Sequence, residues 1–168
     1  MAMILTPAQT CGPLFGFAMT PPDITRTVAE DDPAAVVIEG MVLDGRGDHV
    51  DYGAFLELWS REQACRVRTL EGRFRAVVRK PEPVTLPDGN RLAPHLSIFL
   101  FTRGLAGPLV TKVYFPDEEQ ANRSDAILRQ VPEARRPLLI ARPTGVERHL
   151  RYDIRLQGER ESVFFSID

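Results

Sequence analysis

Three histidines and two cysteines are the chain's imidazole and thiol donors, and none of them is spaced to share a metal. His49, His95 and His149 stand in unrelated contexts, and Cys11 and Cys65 form no pair. Zinc sites draw on closely spaced Cys or His pairs, which are absent here. No Gly-x-Ser-x-Gly elbow is present to expose a serine nucleophile at a strand-to-helix turn. Arg46-Gly47-Asp48 spells an adhesion tripeptide, but it lies in Asp44-Gly45-Arg46-Gly47-Asp48, a run of turn formers, and reads as a hairpin turn. The residue types therefore argue against nucleophilic or zinc chemistry carried by this chain alone.

The elements around these residues belong to one soluble globular domain. The chain has 168 residues, 43% hydrophobic and 26% charged, with a formal net charge of −2. A chain this long buries enough surface to hold a core without disulfides or a structural metal. The balance of 21 basic and 23 acidic residues argues against a nucleic-acid partner. Lysine occurs only at Lys80 and Lys112. Two cysteines without a framework fit a reducing, cytoplasmic compartment. The first 22 residues are uncharged, but no Lys or Arg precedes the apolar stretch, and Thr6-Pro7 and Gly12-Pro13 interrupt it. These features oppose a signal peptide or a membrane anchor, and the stretch is expected to form an extended arm over 1–22, followed by a single domain over 23–168. Ile4, Leu5, Leu14, Phe15 and Phe17 need cover, so the arm is expected to pack on a partner chain.

Alternation dominates the rest and predicts an all-β sandwich. Ala35–Leu43 is a β-branched apolar run. Tyr52–Trp59 sets Ala54, Leu56 and Leu58 on one face, and Phe74–Lys80 sets Phe74, Ala76 and Val78 on one face. Leu96–Thr102 and Leu109–Phe115 follow, then Leu150–Gln157, which alternates without a fault, and Ser162–Ile167. The exception is a helical excursion over 117–139. Asp117, Glu118 and Glu119 suit a first turn, and Ser124-Asp125 suits the cap of a second short helix carrying Ile127, Leu128 and Val131 before Pro132 ends it.

Thr6-Pro-Ala-Gln-Thr-Cys-Gly-Pro13 and Ala93-Pro-His-Leu-Ser-Ile-Phe-Leu-Phe-Thr-Arg-Gly-Leu105 resemble the N-terminal arm and the iron-site strand of the intradiol ring-cleavage dioxygenases. The likeness continues in order through Val113–Asn122, Arg135–Arg142 and Tyr152–Ile167. In this family a catalytic chain holds ferric iron with two tyrosinates and two histidines, donors that suit Fe(III). The histidines come from a His-x-His strand, which here reads His95-Leu96-Ser97. The segment that should supply one tyrosine is Pro81-Glu82-Pro83-Val84. The long loop that should supply the other is reduced to Ser60–Cys65.

The resemblance therefore implies a non-catalytic chain that binds no metal itself, with His95 as a hydrogen-bonded structural residue. It implies a hetero-oligomer with an Fe(III)-bearing beta subunit of the same dioxygenase, acting on a protocatechuate-like aromatic acid in aromatic catabolism. The substrate-binding positions it carries over are Thr10, Gly12 and Pro13 on the arm and Arg103 after the His95 strand; Leu14 stands where the family has a tyrosine. Gly12 permits close backbone approach, Pro13 fixes the arm's direction, and the Arg103 fork suits a carboxylate. The alternative for the arm is plain strand exchange with a partner, and for Arg103 a surface turn beside Gly104. For the whole chain, the alternative is a binding or scaffolding protein of the same fold without activity.

Overall fold

The computed structural model describes residues 10, 18–21, 24–50 and 54–166. One sheet is built on β1 (Ala35–Leu43). Along one edge β1 pairs antiparallel with β4 (Arg73–Arg79), from Ala35↔Arg79 to Met41↔Arg73. Along the other it pairs in parallel with β10 (His149–Arg151) and then with β11 (Ile154–Arg155), and β9 (Arg142–Pro143) lies antiparallel beside β10. The second sheet runs β3 (Ala64–Arg68), β2 (Phe55–Trp59), β7 (His95–Phe101) and β8 (Leu109–Tyr114), antiparallel throughout. A two-stranded ribbon, β5 (Val84–Thr85) and β6 (Arg91–Leu92), precedes β7.

The alternating side chains of both sheets meet in one core. Ile38 and Val42 of β1, and Phe74, Ala76 and Val78 of β4, face Leu56, Leu58, Leu96, Ile98 and Leu100 of the second sheet. At roughly 1.5–3 kcal/mol for each large aliphatic or aromatic side chain taken from water, this layer is what holds the sheets together. Tyr152 spans it, donating its hydroxyl proton to the Lys112 carbonyl oxygen at 2.9 Å. Burial lifts that phenol to about 12.

The even alternation of Leu150–Gln157 predicts one strand, and the structure breaks it at Tyr152-Asp153. The Met41 N–H that a continuous partner strand would take is taken by Asp153 Oδ1 at 3.1 Å. Arg142 and Arg151 hold that carboxylate. Opposite the break, a Cβ on Gly40 would stand 1.8 Å from the Tyr152 carbonyl oxygen, so only glycine fits there. Of the run expected over Ser162–Ile167, the described residues 162–166 make one bridge, Val110↔Phe165, and Ile167 lies outside them. β3 had no expectation of its own; it forms because Ser60–Gln63 closes a tight hairpin where the loop is short.

The excursion over 117–139 is α1 (Glu119–Ser124) followed by 3-10 stretches at Leu128–Gln130 and Glu133–Leu139. Asp125 is the cap of the second turn, accepting from the N–H groups of Ile127 and Leu128 at 2.9 and 2.8 Å. Asp117 and Glu118 pair instead with Lys80. Leu128, Val131 and Leu139 pack onto Tyr114, Ala93 and Val163, covering part of the outer face of the second sheet. No described helix is long and apolar enough to cross a membrane.

Candidate functional site

The period of β7 puts Leu96, Ile98 and Leu100 in the core and His95, Ser97 and Phe99 on the outer face. β8 lies antiparallel, so Tyr114 stands beside His95 and Lys112 beside Ser97. The result is a closed chain of hydrogen bonds. The His95 Nδ1–H donates to the Ala93 carbonyl at 2.8 Å, which leaves Nε2 to accept from Lys112 Nζ at 3.1 Å. Lys112 also donates to Ser97 Oγ at 3.0 Å, and the His95 ring stacks on Tyr114 with centroids 5.2 Å apart. Burial, and then the Lys112 charge, hold His95 below the ordinary imidazole range; burial likewise lowers Lys112.

Asp125 anchors this floor from behind. It is fully buried and accepts from Ala93 N at 2.7 Å and from the Tyr114 hydroxyl at 3.2 Å, besides its two cap bonds. Tyr114 is pushed far up by burial and by that carboxylate, so its phenol stays neutral. Above His95 and Ser97 opens a cleft of about 560 Å³ walled by Trp59, Pro81, Pro83, Val84 and Phe99. Trp59 is exposed and ties its indole N–H to Glu57, which is itself paired with Arg66.

The far end of β7 is built differently. After Phe101 the chain turns at Thr102–Leu105, where Gly104 takes a φ of +88°, a conformation that side chains resist. Arg103 is exposed in this turn, and no partner holds its guanidinium among the described residues. Thr10 reaches the same turn: Gly104 N–H donates to Thr10 Oγ1 at 2.7 Å. Two of the four substrate-side positions anticipated from the sequence are thus brought together. Gly12 and Pro13 lie outside the described residues, as do Leu14, Cys11 and Tyr52. Farther along the arm, Arg66 donates to the Met19 carbonyl at 2.8 Å.

Sequence reasoning missed Lys112, and it gave Asp125 only a helix-capping role, which the hydrogen-bonded geometry extends to Ala93 and Tyr114. The signal was weak: Lys112 is one of only two lysines and sits in an apolar strand pattern, but its partners follow only from the β7–β8 register.

The fold is that of the intradiol ring-cleavage dioxygenases. Hydroxyquinol 1,2-dioxygenase from Pseudomonas putida DLL-E4 superposes with a TM-score of 0.57 at 20% identity, covering 76% of this chain and 57% of that one. 3-Chlorocatechol 1,2-dioxygenase from Rhodococcus opacus 1CP gives 0.60 at 18% identity, covering 81% and 64%. The dioxygenase domain of a carbohydrate-binding fusion from Streptomyces sp. SirexAA-E gives 0.58 at 19%, covering 94% and 100%. No protein-family model matches the chain. The alpha chain of protocatechuate 3,4-dioxygenase from Pseudomonas putida is 33% identical over 95% of this chain and 95% of its own length, and that from Burkholderia cepacia 31% identical over 96% and 97%. The chain belongs to the family of protocatechuate 3,4-dioxygenase alpha chains.

Intradiol chemistry uses iron, and the residues of this chain do not fit it. Both nitrogens of His95 are engaged, one as donor to Ala93 and one as acceptor from Lys112. A serine replaces the second histidine, and valine follows Pro83. The hydroxyls of Tyr114 and Tyr152 donate to Asp125 and to a main-chain carbonyl. Among the described residues no three His, Cys, Asp or Glu side chains gather in a metal-holding group. An ammonium, Lys112, sits against the histidine, and a metal cation beside it would be repelled.

Proposed function

We propose that this chain is the non-catalytic alpha subunit of a heteromeric protocatechuate 3,4-dioxygenase, shaping the substrate pocket of a beta subunit that carries the Fe(III). The observation that carries the reading is the convergence of Thr10 with the Arg103-Gly104 turn, where the guanidinium has no partner among the described residues, while Lys112 occupies the histidine of the chain's own cleft. In the assembled enzyme the iron supplies the activation of the dihydroxybenzoate ring toward dioxygen, whose two atoms enter as the bond between the hydroxyl-bearing carbons breaks. This chain's part is to bind and orient. Arg103 offers a planar, permanently charged fork to the ring carboxylate. Thr10 fixes the turn that presents it, and Gly12 and Pro13 line the approach. The arm over 1–22 packs on the beta chain and the sandwich over 23–168 forms one domain.

The test is co-expression with an iron-bearing homologue, followed by mass, iron and oxygen-uptake measurements. A hetero-oligomer with iron in the beta chain and ring-cleaving activity is expected. A chain that assembles with no such homologue, or an assembly equally active without it, overturns the reading in favour of a binding or scaffolding protein.

A further inference from the structure

Phe99 separates the cleft above His95 from a second one, of about 520 Å³, on the side of β8. Val110, Ile127, Val131, Phe164 and Phe165 make its wall with Phe99. Two cations reach this space, Lys112 and Arg135, and no carboxylate lines it among the described residues. Lys112 spends two N–H groups on neutral acceptors, Ser97 Oγ and His95 Nε2, and among the described residues no acidic side chain pairs with it. Asp125 acts on it only through space, its own oxygens being taken by Ala93, Tyr114, Ile127 and Leu128. Among the described residues Arg135 likewise donates to main-chain carbonyls, those of Glu161 and Ser162 at 3.1 and 3.3 Å.

A partly buried ammonium such as Lys112 is as a rule paired with an anion, because an isolated one loses hydration without return. Among the described residues no carboxylate pairs with Lys112 or Arg135, and the aromatic wall offers area that a hydrated inorganic anion would leave unfilled. We infer that this second cleft binds a small one-ring aromatic carboxylate, its carboxylate drawn to Lys112 and Arg135 and its ring laid against Phe99, Phe164 and Phe165. The volume is in the range of small-molecule sites. The inference does not depend on the beta partner, since every residue belongs to this chain. Lys112 makes the site heard elsewhere: a carboxylate that draws its ammonium weakens the bond to His95 Nε2, so occupancy registers in the neighbouring cleft.

The full chain is titrated with benzoate and with benzamide by calorimetry, while the His95 ring is followed by NMR. Benzoate should saturate one site, benzamide should bind roughly 10- to 100-fold more weakly for want of the charge, and the His95 signals should move only with benzoate. Lys112→Met and Arg135→Gln should each weaken benzoate about 10-fold and leave benzamide unchanged. Arg135 is exposed, so its variant reads the site even if Lys112→Met fails to fold. Trp59→Ala, in the other cleft, should change nothing. Absence of saturation by about 10 mM benzoate, equal binding of benzamide, indifference to the Arg135 variant, or loss through Trp59→Ala would each overturn the inference.

Discussion

β7 begins and ends in opposite conditions. At its start the side chains of His95, Ser97, Tyr114 and Asp125 find their partners inside the chain, Lys112 giving two of those bonds. Beyond its end Arg103 points outward without a partner among the described residues, while the neighbouring Gly104 is tied to Thr10. A polar group whose bonds close within its own chain serves the fold, because opening it exposes buried donors and acceptors. A permanent cation held at a constrained turn with its bonds left open serves something outside. In this chain the His95 position is the first kind, and the position beside the arm is the second.

Removing Asp125 is the strongest way to break that contrast. Asp125→Ala strands the N–H groups of Ala93, Ile127 and Leu128 and the Tyr114 hydroxyl, and should cost about 3–5 kcal/mol in urea unfolding. Asp125→Asn, which keeps one acceptor, should cost less. A loss below about 1 kcal/mol for the alanine variant would show that the closed network is not structural. Arg103→Ala should do the reverse. Its unfolding curve should match the parent's to within about 0.5 kcal/mol. In the assembled enzyme kcat/KM for protocatechuate should fall roughly 10- to 100-fold, and far less for catechol, which has no carboxylate. An equal fall for both substrates would return Arg103 to the fold.

Acid sharpens the comparison further. Burial first, and then the Lys112 charge, depress the folded pKa of His95, so the unfolded chain takes up a proton that the folded chain refuses. The stability this contributes is fully present above the unfolded imidazole value, about 6.5, and is lost as pH falls from there through the folded value. His95→Gln should flatten the stability profile in that window, whereas Arg103→Ala should leave it alone. The smallest effect belongs to Thr10→Val. Its hydroxyl bond is exposed and worth no more than about 1 kcal/mol, so Gly104 amide exchange should quicken by roughly 5-fold or less with the melting temperature unmoved.

Much of the fold was legible because alternation is a local signal. Ala35–Leu43 is recovered at its bounds, and the inward faces of Leu56, Leu58, Phe74, Ala76 and Val78 follow from period two. The break at Tyr152-Asp153 was not legible, because Asp153 replaces a main-chain acceptor by folding its side chain back onto β1, and alternation does not register that exchange. At the site, motif order pointed to Thr10 and Arg103, whose neighbours lie in turns. Lys112 escaped because its meaning is a cross-strand one: only pairing Ser97 with Lys112 reveals a cation where a histidine-rich strand would otherwise prepare for a metal. Phe55 falls on the face opposite Ala54, Leu56 and Leu58 by period two yet is buried, stacked on Phe101 at 4.6 Å and covered by Arg66, which is again a matter of neighbours.

The parallel edge of β1 has a consequence for the life of the chain before it is native. Met41 and Asp153, bonded across that edge, are 112 positions apart in sequence. β4 can zip onto β1 early, but the opposite edge has to wait for segments made much later, and loop closure over that span must be met before any contact rewards it. In the interval β1 presents a row of unsatisfied amides beside a β-branched apolar surface, the ingredients of strand-to-strand aggregation. Production of this chain should therefore be limited by insoluble material that forms during synthesis, and slowing translation or lowering temperature should recover more protein than strengthening the finished core.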